Sequence, residues 1–159
     1  MPDKIEKTII LKAPLDRVWA AISDARQFGI WFGVRFDSAF VPGNPVRGII
    51  VPTQVNDEIA AHQKPYEGTP FEIHIEQLEP MQFFSFRWHP YAVDKTIDYT
   101  AEPMTLVTFA LEPIAEGVHL TITESGFDAL PPARRSEAFT ANEGGWSAQT
   151  GLIEAYLAR

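Results

Sequence analysis

Alternation of apolar and polar side chains predicts four consecutive strands between residues 70 and 123. In each strand the apolar side chains recur at every second position, which is the period of a strand with one covered face. They are Phe71, Ile73 and Ile75, then Phe84, Phe86 and Trp88, then Val107, Phe109 and Leu111 after Thr105, and finally Val118, Leu120 and Ile122. Because turns at Pro80-Met81 and Glu116-Gly117 join the first and last pairs of strands, we expect an antiparallel meander.

Two short helices are predicted after a first strand over residues 5–11. The segment Ala13-Pro14-Leu15-Asp16 is typical of a helix start, because proline is favoured in the first turn and the helix dipole favours an acidic side chain there. Ser23-Asp24 breaks this helix and offers a cap for a second one. We expect the second helix to end near Gly29.

Two further strands are expected at residues 34–40 and 46–51, on either side of the turn Pro42-Gly43-Asn44-Pro45. Residues 52–69 are the least regular part of the chain, since proline, glycine and charged residues interrupt every apolar pattern there. We interpret this segment as a long loop that can include one helical turn.

Pro131-Pro132 opens a long helix that is expected to continue to about residue 157. At about 100° per residue, one face of this helix collects seven side chains: Phe139, Asn142, Glu143, Trp146, Thr150, Ile153 and Leu157. The predicted fold class is therefore α+β, with residues 1–159 forming a single domain. In this helix-grip architecture an antiparallel sheet of six or seven strands wraps around the long C-terminal helix, and two short helices follow strand 1.

Four segments of the chain resemble a known family. They are residues 5–32 with Ala13-Pro14, Val18-Trp19 and Trp31-Phe32; Glu79-Pro80 followed by residues 83–88; Glu124-Ser125-Gly126-Phe127; and the helix ending with Gly145-Trp146, Ile153 and Leu157. Together they resemble the START/SRPBCC superfamily, and most closely its branch of homologues of the activator of the ninety-kilodalton heat-shock protein ATPase. The resemblance implies a cavity between the concave sheet and the C-terminal helix, which superfamily members use for lipids, hormones, polyketides or other apolar molecules.

Two features depart from the pattern of that branch. The helix has Thr150 where the branch usually has a bulky apolar residue, and the segment 52–69 is longer than is typical. Either departure would change the size or the mouth of a cavity.

An aromatic-lined ligand cavity is the site that we predict from the alternation and the resemblance together. Its expected lining residues are Trp31, Phe36, Phe71, Ile73, Phe84, Phe86, Trp88, Val107, Phe109, Ile122, Glu124, Phe139, Asn142, Glu143, Trp146 and Thr150. The alternative is a core that is simply filled by large side chains, because 19 of the 159 residues are aromatic (11 Phe, 4 Trp and 4 Tyr).

Three polar residues fall on faces that are otherwise apolar. Glu124 continues the inward positions of its strand, and Asn142 and Glu143 share the inward face of the helix. A buried carboxylate is costly unless it is paired. These groups therefore lie in water at the ends of the sheet and helix, or meet an arginine, or anchor a ligand; a general acid/base role for Glu124 is a further alternative.

Charge and composition narrow the possible partners. The chain has 13 Lys+Arg against 21 Asp+Glu, a net charge of −8. This balance argues against binding to nucleic acid or to an anionic membrane, both of which need clustered basic residues. The chain has no cysteine, no signal-peptide core and no apolar run near the roughly 20 residues of a membrane span. We expect a cytoplasmic protein.

No cofactor or metal is expected from the motifs. The four histidines (His62, His74, His89 and His119) are scattered, and no Gly-rich phosphate loop or zinc motif is present.

The favoured hypothesis is binding of a small apolar or aromatic molecule. The alternatives are a co-chaperone-like interaction module, with a protein partner or a homodimer, and an enzyme that acts on an apolar substrate in the same cavity. Catalysis is less favoured because no nucleophile-base pair is apparent.

Overall fold

Seven antiparallel strands form a single sheet in the computed structural model, which describes residues 3–92, 94 and 96–159. The strands are β1 (Lys4–Leu11), β2 (Val34–Phe36), β3 (Pro45–Ile50), β4 (Pro70–Glu79), β5 (Phe83–Trp88), β6 (Thr105–Ile114) and β7 (Gly117–Ser125). Their order across the sheet is β1-β7-β6-β5-β4-β3-β2. The predicted meander is confirmed as β4 to β7, and β1 joins it through β7.

Four α-helices cover one face of the sheet or connect its strands. They are α1 (Leu15–Ser23), α2 (Ala25–Phe32), α3 (Asp57–Gln63) and α4 (Pro132–Leu157). The α+β helix-grip prediction is therefore confirmed, with two short helices after β1 and a long C-terminal helix. Three short 3-10 helices complete the described structure, at Lys64–Tyr66, Tyr99–Ala101 and Phe127–Ala129.

Three local predictions were wrong. The strand expected over residues 34–40 ends at Phe36. Helix α2 continues past Gly29 to Phe32, and Gly33 ends it in the left-handed region with φ of 104°. Gly29 does not break the helix because it serves packing: a Cβ there would lie 2.0 Å from the carbonyl oxygen of Val34. The segment 52–69 is also more regular than expected, since the Asn56 side chain accepts a hydrogen bond from the backbone N–H of Ile59 and caps α3.

Helix α2 fills much of the space between the sheet and α4. The ring of Phe28 lies 4.7–6.5 Å, between centroids, from seven other aromatic rings. They belong to Trp31, Phe32, Phe36, Phe40, Phe84, Phe86 and Phe109. Trp31 is completely buried and donates its indole N–H to the carbonyl of Ala21 at 2.9 Å. Aromatic burial of this kind is a major source of stability, because each ring removes about 150–250 Å² from water.

Within the described part of the chain, none of the helices combines the length and the apolar character that crossing a membrane would require.

The close approach of α2 to β2 generates a stability prediction. Alanine is a better helix former than glycine by about 1 kcal/mol, yet Gly29→Ala should destabilise the protein because its Cβ would collide with the backbone of Val34. Gly144→Ala, in α4, is the matched control, since a Cβ there meets nothing within 4 Å. Urea unfolding should show opposite signs for the two variants. Stabilisation by Gly29→Ala would contradict the assigned packing.

Candidate functional site

Three neighbouring strands, β5, β6 and β7, begin or end at the same end of the sheet, and there they place three polar or amphipathic side chains together. Trp88 ends β5 and is paired with Thr105, which begins β6. Glu124 is the next-to-last residue of β7 and is paired with Val107. Antiparallel pairing therefore brings residues 88, 105 and 124 into one neighbourhood although they are far apart in sequence.

Glu124 is the centre of a hydrogen-bond network that joins this end of the sheet to α4. One carboxylate oxygen, Oε2, accepts from the indole N–H of Trp88 at 2.8 Å and from the hydroxyl of Thr105 at 2.5 Å. The other, Oε1, accepts from the indole N–H of Trp146 at 2.8 Å. The Asn142 amide donates to both oxygens, at 2.9 and 3.1 Å. Asn142 and Trp146 are four residues apart and so share one face of α4.

The donor set occupies both oxygens of the Glu124 carboxylate. Indole N–H and the side-chain N–H₂ of asparagine can only donate, so they require acceptors on Glu124. Glu124 is completely buried, and its two oxygens are taken up by donors of the protein. These bonds replace the water that the carboxylate loses on folding. They also fix two indole rings, Trp88 and Trp146, which stack at 5.7 Å with an interplanar angle of 29°.

A small cleft lies beside the stacked indoles. This helix cleft has a volume of about 80 Å³ and is lined by Phe32, Trp88, Asn142, Gly145, Trp146 and Gln149. A Cβ at Gly145 would meet nothing within 4 Å, so the glycine leaves the cleft open on the side of α4. The floor is apolar and aromatic, and amide groups provide its polar edge.

A second cleft lies on the other side of Phe32 and Gln149. This loop cleft has a volume of about 110 Å³ and is lined by Phe32, Gly33, Val34, Ile50, Gln63, Tyr66, Phe71 and Gln149. It is bordered by the segment 52–69 through Gln63 and Tyr66. Two residues of that segment therefore form part of the wall of this cleft.

A larger opening, with a volume of about 790 Å³, lies elsewhere on the described structure. This outer groove is bordered by α2, β2, residues 37–40 and residues 51–54. None of the residues that bond to Glu124 lines it, and its walls include the exposed charged side chains Asp24, Arg26, Arg35 and Asp37. Volume alone would favour this groove, but convergent buried polar groups identify a binding site better. We therefore place the candidate site at the two clefts.

The predicted site residues separate into three groups. Trp88, Glu124, Asn142 and Trp146 come together in the hydrogen-bond network, and Phe71 lies in the loop cleft. Most of the others pack into the buried core or against it: Trp31, Phe36, Ile73, Phe84, Phe86, Val107, Phe109, Ile122 and Phe139. Glu143 is exposed, and Thr150 donates its hydroxyl back to the carbonyl of Ser147.

The sequence analysis missed four residues of the network and the helix cleft, which are discussed here, and five residues of the loop cleft: Gly33, Val34, Ile50, Gln63 and Tyr66. Thr105 had a usable signal, because it is a polar residue at an inward position of its strand. Phe32 was part of the family resemblance but was not assigned to the site. Gly145 was likewise part of the resemblance, through Gly145-Trp146, but was not assigned to the site. Gln149 gave no such signal, since a position of α4 on the edge of its inward face cannot be ranked by the helical period alone.

A loop next to the network is attached to the first turn of α4. Arg134 pairs with Glu102 at 3.0 Å and donates to the carbonyls of Pro90 and Tyr91. Its guanidinium also lies 4.6 Å from the centre of the Tyr99 ring. Only 11% of the Arg134 side chain is exposed, so these bonds are well shielded from water. Arg134 thereby connects residues 90–102 to the helix that carries Asn142 and Trp146.

The chain matches the family model described as "Activator of Hsp90 ATPase homolog 1-like protein" over residues 12–158. The chain belongs to this family. The sequence resemblance is thus confirmed, and it extends over all of the candidate site. No curated protein matches the chain at a significant level.

Solved structures of similar proteins agree with the family fold. DynU16, a protein of the dynemicin biosynthetic locus, is 25% identical with a TM-score of 0.69; the match covers 99% of this chain but only 48% of DynU16. Protein MLL2253 from Mesorhizobium loti is 20% identical with a TM-score of 0.71, covering 98% and 97% of the two chains. The Aha1 dimer from Colwellia psychrerythraea is 14% identical with a TM-score of 0.67, covering 97% and 95%.

Replacement of Glu124 tests the network. In Glu124→Gln the new N–H₂ group must stand where one oxygen stood, and each oxygen accepts from an indole. One buried indole N–H therefore loses its acceptor, which should cost about 1–3 kcal/mol of unfolding free energy. Urea unfolding measures the loss. The exposed Glu143→Gln should stay within about 0.5 kcal/mol of wild type, and an equal effect of both variants would refute the network's role.

His89, which follows β5 at the same end of the sheet, makes the free energy of unfolding depend on pH. Burial lowers the pKa of His89 below its usual 6.5, against the opposing charge of Glu102, while His74 and Arg134 lower it further. The unfolded chain then binds this proton more readily than the folded protein does, so stability falls as pH drops below about 6.5. His89→Gln should flatten the dependence of unfolding free energy on pH below about pH 6.5. The control is His62→Gln on exposed α3; a His89→Gln slope like that of wild type would contradict this assignment.

Proposed function

We propose that the protein binds a small, flat, largely apolar molecule in the space between the sheet and α4, against the Trp88–Trp146 pair. The observation that carries the proposal is that one buried carboxylate holds both of the indoles that line an open cleft. A surface that is fixed before the ligand arrives loses little entropy when it binds. Aromatic rings favour flat partners, because stacked rings gain about 0.5–1.5 kcal/mol beyond area burial.

The size of the clefts limits the ligand. Pockets for drug-sized molecules enclose about 300–1,000 Å³, whereas the helix cleft and the loop cleft have about 80 and 110 Å³. An apolar cavity of about 150 Å³ holds benzene. The proposed ligand therefore contacts the cleft with one ring or displaces side chains to enter further.

Charge also limits the ligand. None of the described residues lining either cleft carries a formal charge. The nearest ionised group in the network is the carboxylate of Glu124, behind both indoles, and the chain as a whole is acidic at −8. A neutral molecule fits these surroundings better than an anion, which would have to leave water without a cationic partner.

The family members described above support a small-molecule function only in general terms. DynU16 comes from a biosynthetic locus, a setting in which small molecules are made and handled. The Colwellia protein was solved as a dimer, so a homodimer is a reasonable proposal here as well. Sedimentation of the purified chain would decide that point independently of ligand binding.

The test of the proposal uses aromatic fragments and the tryptophan indoles as reporters. Titration of ¹⁵N-labelled protein with benzene, phenol or indole should move the Nε1–H signals of Trp88 and Trp146. Trp19, which lines neither cleft, is the internal reference. No movement with any fragment, in folded protein, would refute ligand binding at this site.

Two adjacent glycines provide a matched pair of blocking variants. Gly145 lines the helix cleft and Gly144 does not, while a Cβ at either meets nothing within 4 Å. Both Gly145→Leu and Gly144→Leu should raise stability, since glycine is disfavoured within a helix by about 1 kcal/mol. Only Gly145→Leu should abolish the fragment-induced shifts. Equal binding by the two variants would move the site away from the helix cleft.

A further inference from the structure

Two glutamines donate to a single backbone carbonyl between the two clefts. The side-chain nitrogens of Gln63 and Gln149 lie 3.1 and 3.2 Å from the carbonyl oxygen of Phe32. The oxygen of Gln63 also accepts from the backbone N–H of Thr53 at 2.7 Å, so both ends of that amide are held. The oxygen of Gln149 is buried and has no hydrogen-bond partner among the described residues.

The orientation of the Gln149 amide follows from this contact. Nitrogen must face the carbonyl of Phe32, because two oxygens would repel each other there. The amide oxygen is therefore the end left without a partner, which is unfavourable for a buried acceptor. If the Gln149 side chain turned away, the Phe32 carbonyl would keep the bond from Gln63. The Phe32 carbonyl would therefore still have a hydrogen-bond donor after the Gln149 side chain has turned.

Gln149 also has a special position in the site. It and Phe32 are the two residues that line both the helix cleft and the loop cleft. Gln149 lies three residues after Trp146 on α4, so its side chain lies beside the stacked indoles. Rotation of this one side chain would join the two clefts without any change in the backbone.

We propose that Gln149 is a movable partition that opens for its ligand and selects it by a hydrogen bond. This inference rests on the proposed function and names the ligand class: a neutral, flat molecule of two fused rings that carries one N–H or O–H donor. One ring lies against Trp146, the second ring reaches toward Phe71, and the donor bonds the oxygen of Gln149. The ligand then supplies the partner that this oxygen lacks in the closed structure.

Indole and indene form the matched pair of probes. Both are two fused rings of nearly the same shape, but only indole carries an N–H donor. Binding is measured by calorimetry and by the Nε1–H signals of Trp88 and Trp146 in the whole protein. One hydrogen bond is worth about a twofold to tenfold difference in affinity, so wild-type protein should prefer indole to indene by that factor.

Two leucine variants separate the partition from its neighbour. Gln149→Leu keeps the apolar bulk but removes the selecting oxygen, so it should bind indole and indene with equal affinity. Gln63→Leu removes the other glutamine from the same carbonyl. Because Gln63 lines the loop cleft, this variant should change the affinities for both probes together and keep the indole-to-indene ratio of wild type. The variants should also differ in stability: Gln149→Leu should keep the wild-type urea midpoint or raise it, whereas Gln63→Leu should lower it by leaving the N–H of Thr53 without its acceptor.

The outcomes distinguish this inference from the proposed function. Preference for indole in wild type and Gln63→Leu, with its loss in Gln149→Leu, supports the selecting role. Equal binding of indole and indene by wild-type protein overturns that role but leaves the binding cleft intact. No binding of either probe, with Trp88 and Trp146 signals unmoved, overturns both. If Gln149→Leu lowers the urea midpoint as Gln63→Leu does, the hydrogen bond of Gln149 stabilises the fold. That result also overturns the role of Gln149 as a movable partition.

Discussion

A carboxylate that loses its water on folding needs other donors, and Glu124 receives them from three different elements. Trp88 and Thr105 belong to neighbouring strands, and Asn142 and Trp146 belong to α4. The long helix must therefore lie at one rotation and one height over the sheet for the bonds to form. A buried, unpaired carboxylate would cost far more than the bonds themselves contribute, so the network acts as a constraint on register.

The same constraint determines what kind of surface the site offers. Indole N–H groups point at Glu124, so the rings are held edge-on to the carboxylate and stacked on each other. Their remaining surface faces an apolar cleft of small volume, because the rings of Phe32 and Phe109 already pack 6.1 and 5.7 Å from the ring of Trp146. The family's sheet-and-helix frame is therefore present here with most of its interior occupied. Room for a ligand depends on a few side chains at the rim.

The sequence predicted β7 better than it predicted the faces of α4. A strand repeats every two residues, so the inward position of Glu124 followed directly from Val118, Leu120 and Ile122. A helix repeats every 3.6 residues, and its face is a broad stripe whose edges are uncertain. Glu143 was placed on the inward face but is exposed, while Ala138 was not among the residues assigned to that face but is buried.

By itself, the sequence determined the order of the elements, the meander, the long helix and the family, because these depend on local periodicity and short motifs. It also marked Glu124 as a polar group at an apolar position. Only the tertiary structure decided which donors satisfy that carboxylate, since residues 88, 105, 142 and 146 meet through strand pairing and helix packing. The same holds for the clefts, because their volume is what remains after side chains from separate elements have packed together.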